Sequence, residues 1–254
     1  MTLLIAIAAI LGLLVGSFAN VCVHRIPRRQ SVSFPGSHCP ACGHAIAWYD
    51  NVPLLSYLML GGRCRHCGVP IAWRYPLLEA LMGASWAGLA WYFGPTAQLL
   101  MALVLVTLLW ILTLIDLETG LLPDALTLPG TGVGLGFSFW IGDPVASLVG
   151  AVAGYAIFWL VARVFVLVAR REGLGYGDFK LLAMLGAFFG WKALPFIVFV
   201  SSLSGAAVGS LYLWLSRRGM RASVPYGPFL AAAGVAWLLW GQASVRWYLG
   251  LAGG

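Results

Sequence analysis

Apolar residues in this chain do not recur at every third or fourth position; they fill long runs broken by short polar stretches. The runs lie at residues 3–23, 77–93, 97–115, 122–141, 145–169, 179–190, 193–215 and 227–250. About 20 apolar residues are needed for a helix to cross a bilayer. The pattern therefore predicts an all-α polytopic membrane protein of about eight transmembrane helices. The run at 179–190 is short for a crossing, so it is expected to tilt or to lie where the bilayer is thin. Gly94-Pro95, Gly142-Asp143-Pro144 and Gly190-Trp191 separate neighbouring runs as tight turns. The first run lacks a basic leader and a small-residue cleavage site, and reads as a retained span rather than a signal peptide.

The one long polar stretch follows that first run. Residues 24–75 contain all four His, four of the five Cys and six Arg. This divides the chain into a first transmembrane helix at 1–23, a small inserted domain at 24–76 and a membrane-embedded domain at 77–254. Composition agrees with the pattern: of 254 residues, 61% are hydrophobic and 9% charged, against about 25% charged in soluble domains.

Charge gives the spans a direction. With eight crossings, the stretches 24–76, 116–121, 170–178 and 216–226 share one side. That side receives Arg25, Arg28, Arg29, Arg63, Arg65, Arg74, Arg170, Arg171, Lys180, Arg217, Arg218 and Arg221, with Arg163 close enough to snorkel to it. Only Lys192 and Arg246 remain for the other. Basic residues gather in cytoplasmic loops, so the polar domain faces the cytoplasm and both termini face outward. The net charge of +7 is then a matter of topology and anionic lipid, and calls for no nucleic-acid partner.

The polar domain contains a metal-binding pattern. Cys39-Pro-Ala-Cys42 and Cys64-Arg-His-Cys67 form two CxxC pairs with 21 residues between the inner cysteines. Gly43 and Gly68 follow the pairs as in zinc knuckles. Four thiolates suit a closed tetrahedral structural zinc site with no position open to water. Two disulfides are the rival reading, disfavoured in a reducing cytosol. His38, His44 and His66 read as loop histidines beside the site, and Cys22 as a small buried hydrophobe.

Two acids stand out in the remaining sequence. Asp116 closes the run at 97–115, and Asp178 ends the glycine-rich stretch Gly173-Leu174-Gly175-Tyr176-Gly177-Asp178. Span counting puts both at the same depth on the cytoplasmic side. An ionisable residue at membrane depth suggests function. Two close carboxylates share a proton, so that one serves as base and the other as acid. That chemistry activates water without a covalent intermediate. The bland alternative is that Asp116 caps a helix or simply marks the lipid–water boundary. Gly175 and Gly177 offer exposed backbone to an extended substrate segment, with Glu118, Glu172 and Asp124 adding negative charge nearby. Asp124 reads by default as an N-cap and Glu79 as an acid at a helix start. Trp91, Trp140, Trp191 and Trp247 read as interfacial anchors.

Taken in order, these motifs resemble those of the bacterial type IV prepilin peptidases. Residues 16–27 (GSFANVCVHRIP), Gly62-Arg-Cys-Arg-His-Cys67 and Arg74-Tyr-Pro-Leu-Leu-Glu79 look like the opening signature and cytoplasmic domain. Ile115-Asp116 through Pro123-Asp124 resembles the first aspartate motif. Gly175-Tyr176-Gly177-Asp178 resembles the GxGD motif, and Pro225-Tyr226-Gly227-Pro228-Phe229 the last one. Leu174 stands where the family often has Met, and Tyr226 where Phe is common. The resemblance implies a bifunctional enzyme of type IV pilus and type II secretion systems, in the bacterial inner membrane. It would cleave the basic leader of prepilins and pseudopilins after a glycine, then N-methylate the new N-terminal residue, typically Phe. Asp116 and Asp178 would be the catalytic aspartates, Cys39, Cys42, Cys64 and Cys67 the zinc ligands, and S-adenosylmethionine the methyl donor. No sequence feature locates the donor.

Two other classes compete. A proton-coupled transporter could use the Asp116/Asp178 pair, but no inverted repeat is visible. A cysteine-domain binding module would need a docking stripe, and residues 48–54 are apolar and aromatic rather than basic. That segment is expected to pack on the membrane domain.

Overall fold

Helices account for the structured part of the chain because a backbone in lipid must satisfy its own hydrogen bonds. The structure is a computed structural model and describes residues 1–170, 175–216 and 225–252. The helices are α1 (Thr2–Arg25), α2 (Leu55–Met59), α3 (Arg74–Phe93), α4 (Ala97–Thr119), α5 (Asp124–Ile141), α6 (Pro144–Ala169), α7 (Tyr176–Phe189), α8 (Leu194–Ser216) and α9 (Gly227–Ala252). Short 3-10 turns occupy Trp48–Asn51 and Trp191–Ala193. Among the described residues no strand forms, only the isolated bridges His38 to Ala45 and Arg63 to Pro70.

All eight apolar runs are helical. Among the described residues four segments, Thr2–Arg25, Ala97–Thr119, Pro144–Val168 and Trp191–Leu211, are long and apolar enough to cross a membrane. Helix α7 has 14 residues and spans about 21 Å at 1.5 Å per residue, short of a ~30 Å hydrocarbon core. Arg171, Glu172, Gly173, Arg217, Arg218 and Arg221, and the side chain of Trp247, lie outside the described residues.

The chain forms two compact units, Met1–Ile111 and Leu112–Gly254. In the first, α1 lies along α3. Gly12 and Gly16 make this possible: a Cβ on Gly12 would sit 2.9 Å from the Gly83 Cα, and one on Gly16 2.8 Å from the Glu79 Cα. Small residues four apart let two helix backbones approach closely. Asn20 donates to the Tyr75 carbonyl at 3.1 Å and adds a polar tie.

In the second unit α7 is the central element, packed against α5, α6 and α9. Asp178, Phe179 and every residue from Leu181 to Phe188 are buried. An apolar helix buried on all sides shows no preferred face. Gly150 of α6 and Gly186 of α7 face each other so closely that a Cβ on either would strike the other's carbonyl oxygen. Gly154 repeats the contact one turn on, where a Cβ would lie 2.7 Å from the Leu182 carbonyl oxygen. Asp143 caps α6, its Oδ1 accepting from the N–H groups of Val145 (2.9 Å) and Ala146 (3.1 Å).

Gly186→Val should therefore separate α6 from α7. Overpacking of this kind costs about 1–3 kcal/mol or more, read as a lower melting temperature or loss of monodisperse protein in detergent. Gly132→Ala, on an exposed face with nothing within 4 Å of the new Cβ, should melt as wild type does.

Candidate active site and metal centre

The first candidate lies in the Met1–Ile111 unit and is built twice over. Cys39 N–H donates to the His44 carbonyl at 2.9 Å and Gly43 N–H to the Cys39 carbonyl at 2.9 Å. Cys64 N–H donates to Val69 and Gly68 N–H to Cys64, both again at 2.9 Å. Each knuckle thus folds back on its own first cysteine. Gly43 (φ 68°) and Gly68 (φ 70°) occupy the left-handed conformation that such a turn needs, which L side chains adopt at a cost. The result brings the four Sγ atoms of Cys39, Cys42, Cys64 and Cys67 within 4.8 Å of one another. Cys39 Sγ lies 3.8 Å from Cys67 Sγ. Tetrahedral zinc with bonds of ~2.3 Å sets its sulfurs roughly 3.8 Å apart. All five cysteines are free thiols. The Cys42 N–H, and then that of Ala41, pull the Cys39 thiol down to about 6, toward the thiolate that binds metal, while, against the Val69 N–H, burial and the neighbouring thiols push the Cys67 thiol up to about 11. The cluster could therefore hold a metal ion.

The flanking histidines stay outside it. His38 faces the Gly36 carbonyl at 3.0 Å, and the rings of His44 and His66 stack with centroids 3.4 Å apart. Arg65 ties the second knuckle to the turn at Trp48–Asn51, forming an ion pair with Asp50 at 2.5 Å. That guanidinium holds the Asp50 carboxyl below its ordinary value. Trp48 is 83% exposed, so the 48–54 segment joins α3 through Leu54, not through its aromatic residues.

The second candidate lies in the Leu112–Gly254 unit. Asp116 sits near the C-terminal end of α4 and Asp178 in the first turn of α7. Both are buried, at 5% and 7% exposure. Asp116 lies within electrostatic reach of Asp178. One residue links their surroundings. Leu122, just before α5, lies 2.7 Å from where a Cβ on Gly177 would stand and 3.3 Å from where one on Gly227 would stand. Gly227 in turn donates its N–H to Asp116 Oδ2 at 2.9 Å. It begins α9, and its N–H has no partner within its own helix. Asp116 therefore does cap a helix, that of α9, with one oxygen. A Cβ on Gly227 would lie 2.6 Å from that oxygen, so any other residue there would have to displace the carboxylate.

Several expectations change in detail. Gly175 is exposed and adopts φ −75°, open to any residue, so freedom at φ is not its contribution. Its added Cβ would meet Asp178 Oδ2 at 3.4 Å. Gly177 lies inside α7 against Leu122, where packing is tight. Asp124 is the first residue of α5 rather than its N-cap, and it pairs with Lys180 of α7 at 2.5 Å. Glu79 does not mark a helix start. It lies in the second turn of α3, 9% exposed, and accepts the Leu54 N–H at 2.9 Å.

Sequence reasoning quoted Tyr226 and Gly227 only as a motif and gave them no task. The Tyr226 hydroxyl pairs with the Ser201 (2.8 Å) and Ser202 (3.2 Å) hydroxyls of α8, fixing the turn that aims the Gly227 N–H. Glycine flanked by prolines was the available signal, since such a turn puts a bare N–H at a helix start.

Comparison with known proteins follows this division. A family model described as the bacterial peptidase A24 N-terminal domain matches residues 10–93. One described as the type IV leader peptidase family matches residues 103–210, which contain Asp116 and Asp178. A prepilin leader peptidase/N-methyltransferase of Burkholderia pseudomallei is 44% identical over 264 residues, covering 93% of this chain and 85% of the relative. One from Pseudomonas aeruginosa is 43% identical, covering 96% and 93%. One from Aeromonas hydrophila is 42% identical, covering 94% and 91%. No solved structure matches the chain. With relatives this similar along nearly their whole length, the chain belongs to the type IV prepilin peptidase family.

Proposed function

We propose that this chain cleaves the leader from type IV prepilins and pseudopilins and N-methylates the residue so exposed. The observation that carries the reading is the buried pair Asp116 and Asp178, drawn to one locality by Leu122 and Gly227. One carboxylate takes a proton from water as the water oxygen attacks the scissile carbonyl. The other, protonated, delivers its proton to the departing amine. Gly227 N–H holds Asp116 Oδ2 and so orients that carboxylate. Family membership supports both activities, the relatives being named for each. No observation favours the transporter reading.

The topology belongs to the same proposal. Eight crossings, rather than the four evident from length and apolarity, would put Asp116, Asp178 and the cysteine domain at the cytoplasmic face of the inner membrane. The substrate's apolar helix stays in the bilayer there, its leader lies in the cytosol, and the scissile bond meets water. The bond must be extended to be attacked, since a helical carbonyl is already hydrogen-bonded. Gly175, exposed at the start of α7, is the backbone we assign to that segment. Gly177 would permit the contact with Leu122 that shapes the site. In the cysteine domain, Cys39, Cys42, Cys64 and Cys67 would hold a structural Zn²⁺ with no position left for water. S-adenosylmethionine would supply the methyl group.

Asp116→Asn and Asp178→Asn should each reduce cleavage of a co-expressed prepilin by about 10²-fold or more, read by mass spectrometry of the pilin N-terminus. Asn at 116 keeps an oxygen for the Gly227 N–H, so the protein should stay folded. Normal turnover in either variant removes that residue from the mechanism.

Gly175 and Gly177 should respond differently. Gly177→Val collides with Leu122 and should lose folded protein together with activity. Gly175→Val meets no backbone, and should lose cleavage while the yield of folded protein holds. Full cleavage by the Gly175 variant would rule out its docking role.

Elemental analysis should find one zinc per chain. Cys39→Ser or Cys67→Ser should release it, because a four-thiolate site tolerates loss of a ligand poorly. Zinc-free protein with peptides linked by disulfides would overturn the metal assignment.

A further inference from the structure

The cysteine domain begins where α1, a segment able to cross a membrane, ends, and part of its surface is apolar. Short helix α2 turns Ser56 inward, where its hydroxyl donates to the Tyr49 carbonyl at 2.9 Å and accepts the Val52 N–H at 3.0 Å. Leu55, Leu58 and Met59 stand at i, i+3 and i+4, so they share the outward face. Leu58 and Met59 are 74% and 77% exposed. Trp48 lies exposed in the turn that Ser56 holds against α2. Just past α2, the Ile71 N–H donates to the Gly62 carbonyl at 2.7 Å. That bond brings the approach to α3, with exposed Trp73, alongside the end of α2. Large apolar side chains gathered and exposed in this way mark an interaction surface.

Depth decides what covers it. Helices α1 and α3 run antiparallel, Gly12 against Gly83 and Gly16 against Glu79. Gly16 lies seven residues before the end of the first apolar run at Val23, about 10 Å along the helix axis. Glu79 stands at that level, and its carboxylate holds the N–H of Leu54, the residue before α2, at 2.9 Å. Helix α2 thus starts beside the apolar part of α1, not beyond its end. Interfacial helices bury their apolar faces about 5–10 Å into the boundary between headgroups and acyl chains. Trp73 precedes α3 by one residue and Tyr75 by two, and the Tyr75 carbonyl takes the Asn20 amide. Trp73 is therefore level with the end of the same apolar run, where indole rings gather. Charge agrees with depth. Residues 24–76 contain six Arg and a single acid, Asp50, which Arg65 neutralises. Arg63, four residues after Met59, is exposed. Anionic headgroups suit this excess.

We propose that α2, with Trp48 and Trp73, is an interfacial anchor that lays the cysteine domain on the bilayer. Leu55, Leu58 and Met59 enter the acyl boundary, and Arg63 meets anionic headgroups. The partner is the lipid surface itself. Insertion rests on the depth of α2, whereas the choice of the cytoplasmic leaflet rests on the topology proposed above. The anchor gives a domain with little apolar core an attachment besides its two chain connections.

The test uses the full chain in vesicles of phosphatidylcholine and phosphatidylglycerol. Leu58 or Met59 is replaced by p-benzoylphenylalanine, irradiated, and the products weighed by mass spectrometry. Leu14, exposed on α1, serves as the lipid-facing benchmark. Positions 58 and 59 should gain the mass of one phospholipid, in yields comparable with position 14. Crosslinks to a second copy or to peptides of residues 112–254 in place of lipid overturn the proposal, as does the absence of any adduct. Leu58→Glu should abolish the lipid adduct from position 59 without lowering the melting temperature, because an exposed leucine adds little packing within the domain. An adduct that survives Leu58→Glu overturns insertion through this face. Omitting phosphatidylglycerol, or raising salt, should lower hydrogen-exchange protection across residues 48–63. Protection insensitive to both overturns the headgroup contact. Protease added to oriented vesicles separates the anchor from the topology: lipid adducts at 58 and 59 in chains whose cysteine domain faces outward overturn the cytoplasmic placement and leave the anchor standing.

Discussion

Direct backbone contact between α6 and α7 is the constraint on which the second unit depends. Gly150 and Gly186 let two helices touch where any Cβ would intervene. Without water to drive helices together, association in lipid relies on such close packing. It is this contact, with α5 and α9 completing the enclosure, that surrounds a 14-residue helix on all sides. Burial of α7 then carries Asp178 inside with it.

The acid on the other side of the pair is held by a different device. A helix beginning in an apolar setting presents N–H groups that nothing in the helix can satisfy, and its dipole favours a negative group there. Asp116 meets that need for α9 through Gly227. The same bond that completes α9 fixes the carboxylate's orientation. Leu122 fills the space between Gly227 and Gly177, so the positions of α4, α7 and α9 around the aspartates depend on one another. Capping and catalysis are therefore compatible uses of one side chain.

The first unit is organised by local turns rather than by helix burial. Two knuckles of the same hydrogen-bond pattern gather four thiols from a segment with little apolar core. A small domain of this kind gains stability from a metal more readily than from packing. Beneath it, the α1–α3 contact and the Leu54 N–H hold Glu79. The two sets of chemistry thus draw on different physics, one on thiolate geometry and one on helix termini.

The sequence alone determined the helical class, the positions of the eight apolar runs, the four clustered cysteines and the choice of Asp116 and Asp178 as the acids of interest. These are legible because each is a departure in kind: unbroken hydrophobicity, paired CxxC spacing, rare charges in apolar surroundings. Tertiary structure alone decided that Gly227 serves Asp116, that Gly177 packs on Leu122, that Asp124 pairs with Lys180 and that Glu79 is buried. None of these follows from the pattern, because in a membrane bundle lipid-facing and core-facing positions are equally apolar. The periodicity that shows the inner face of a soluble helix is lost, and only the folded chain reveals which glycine or acid faces inward.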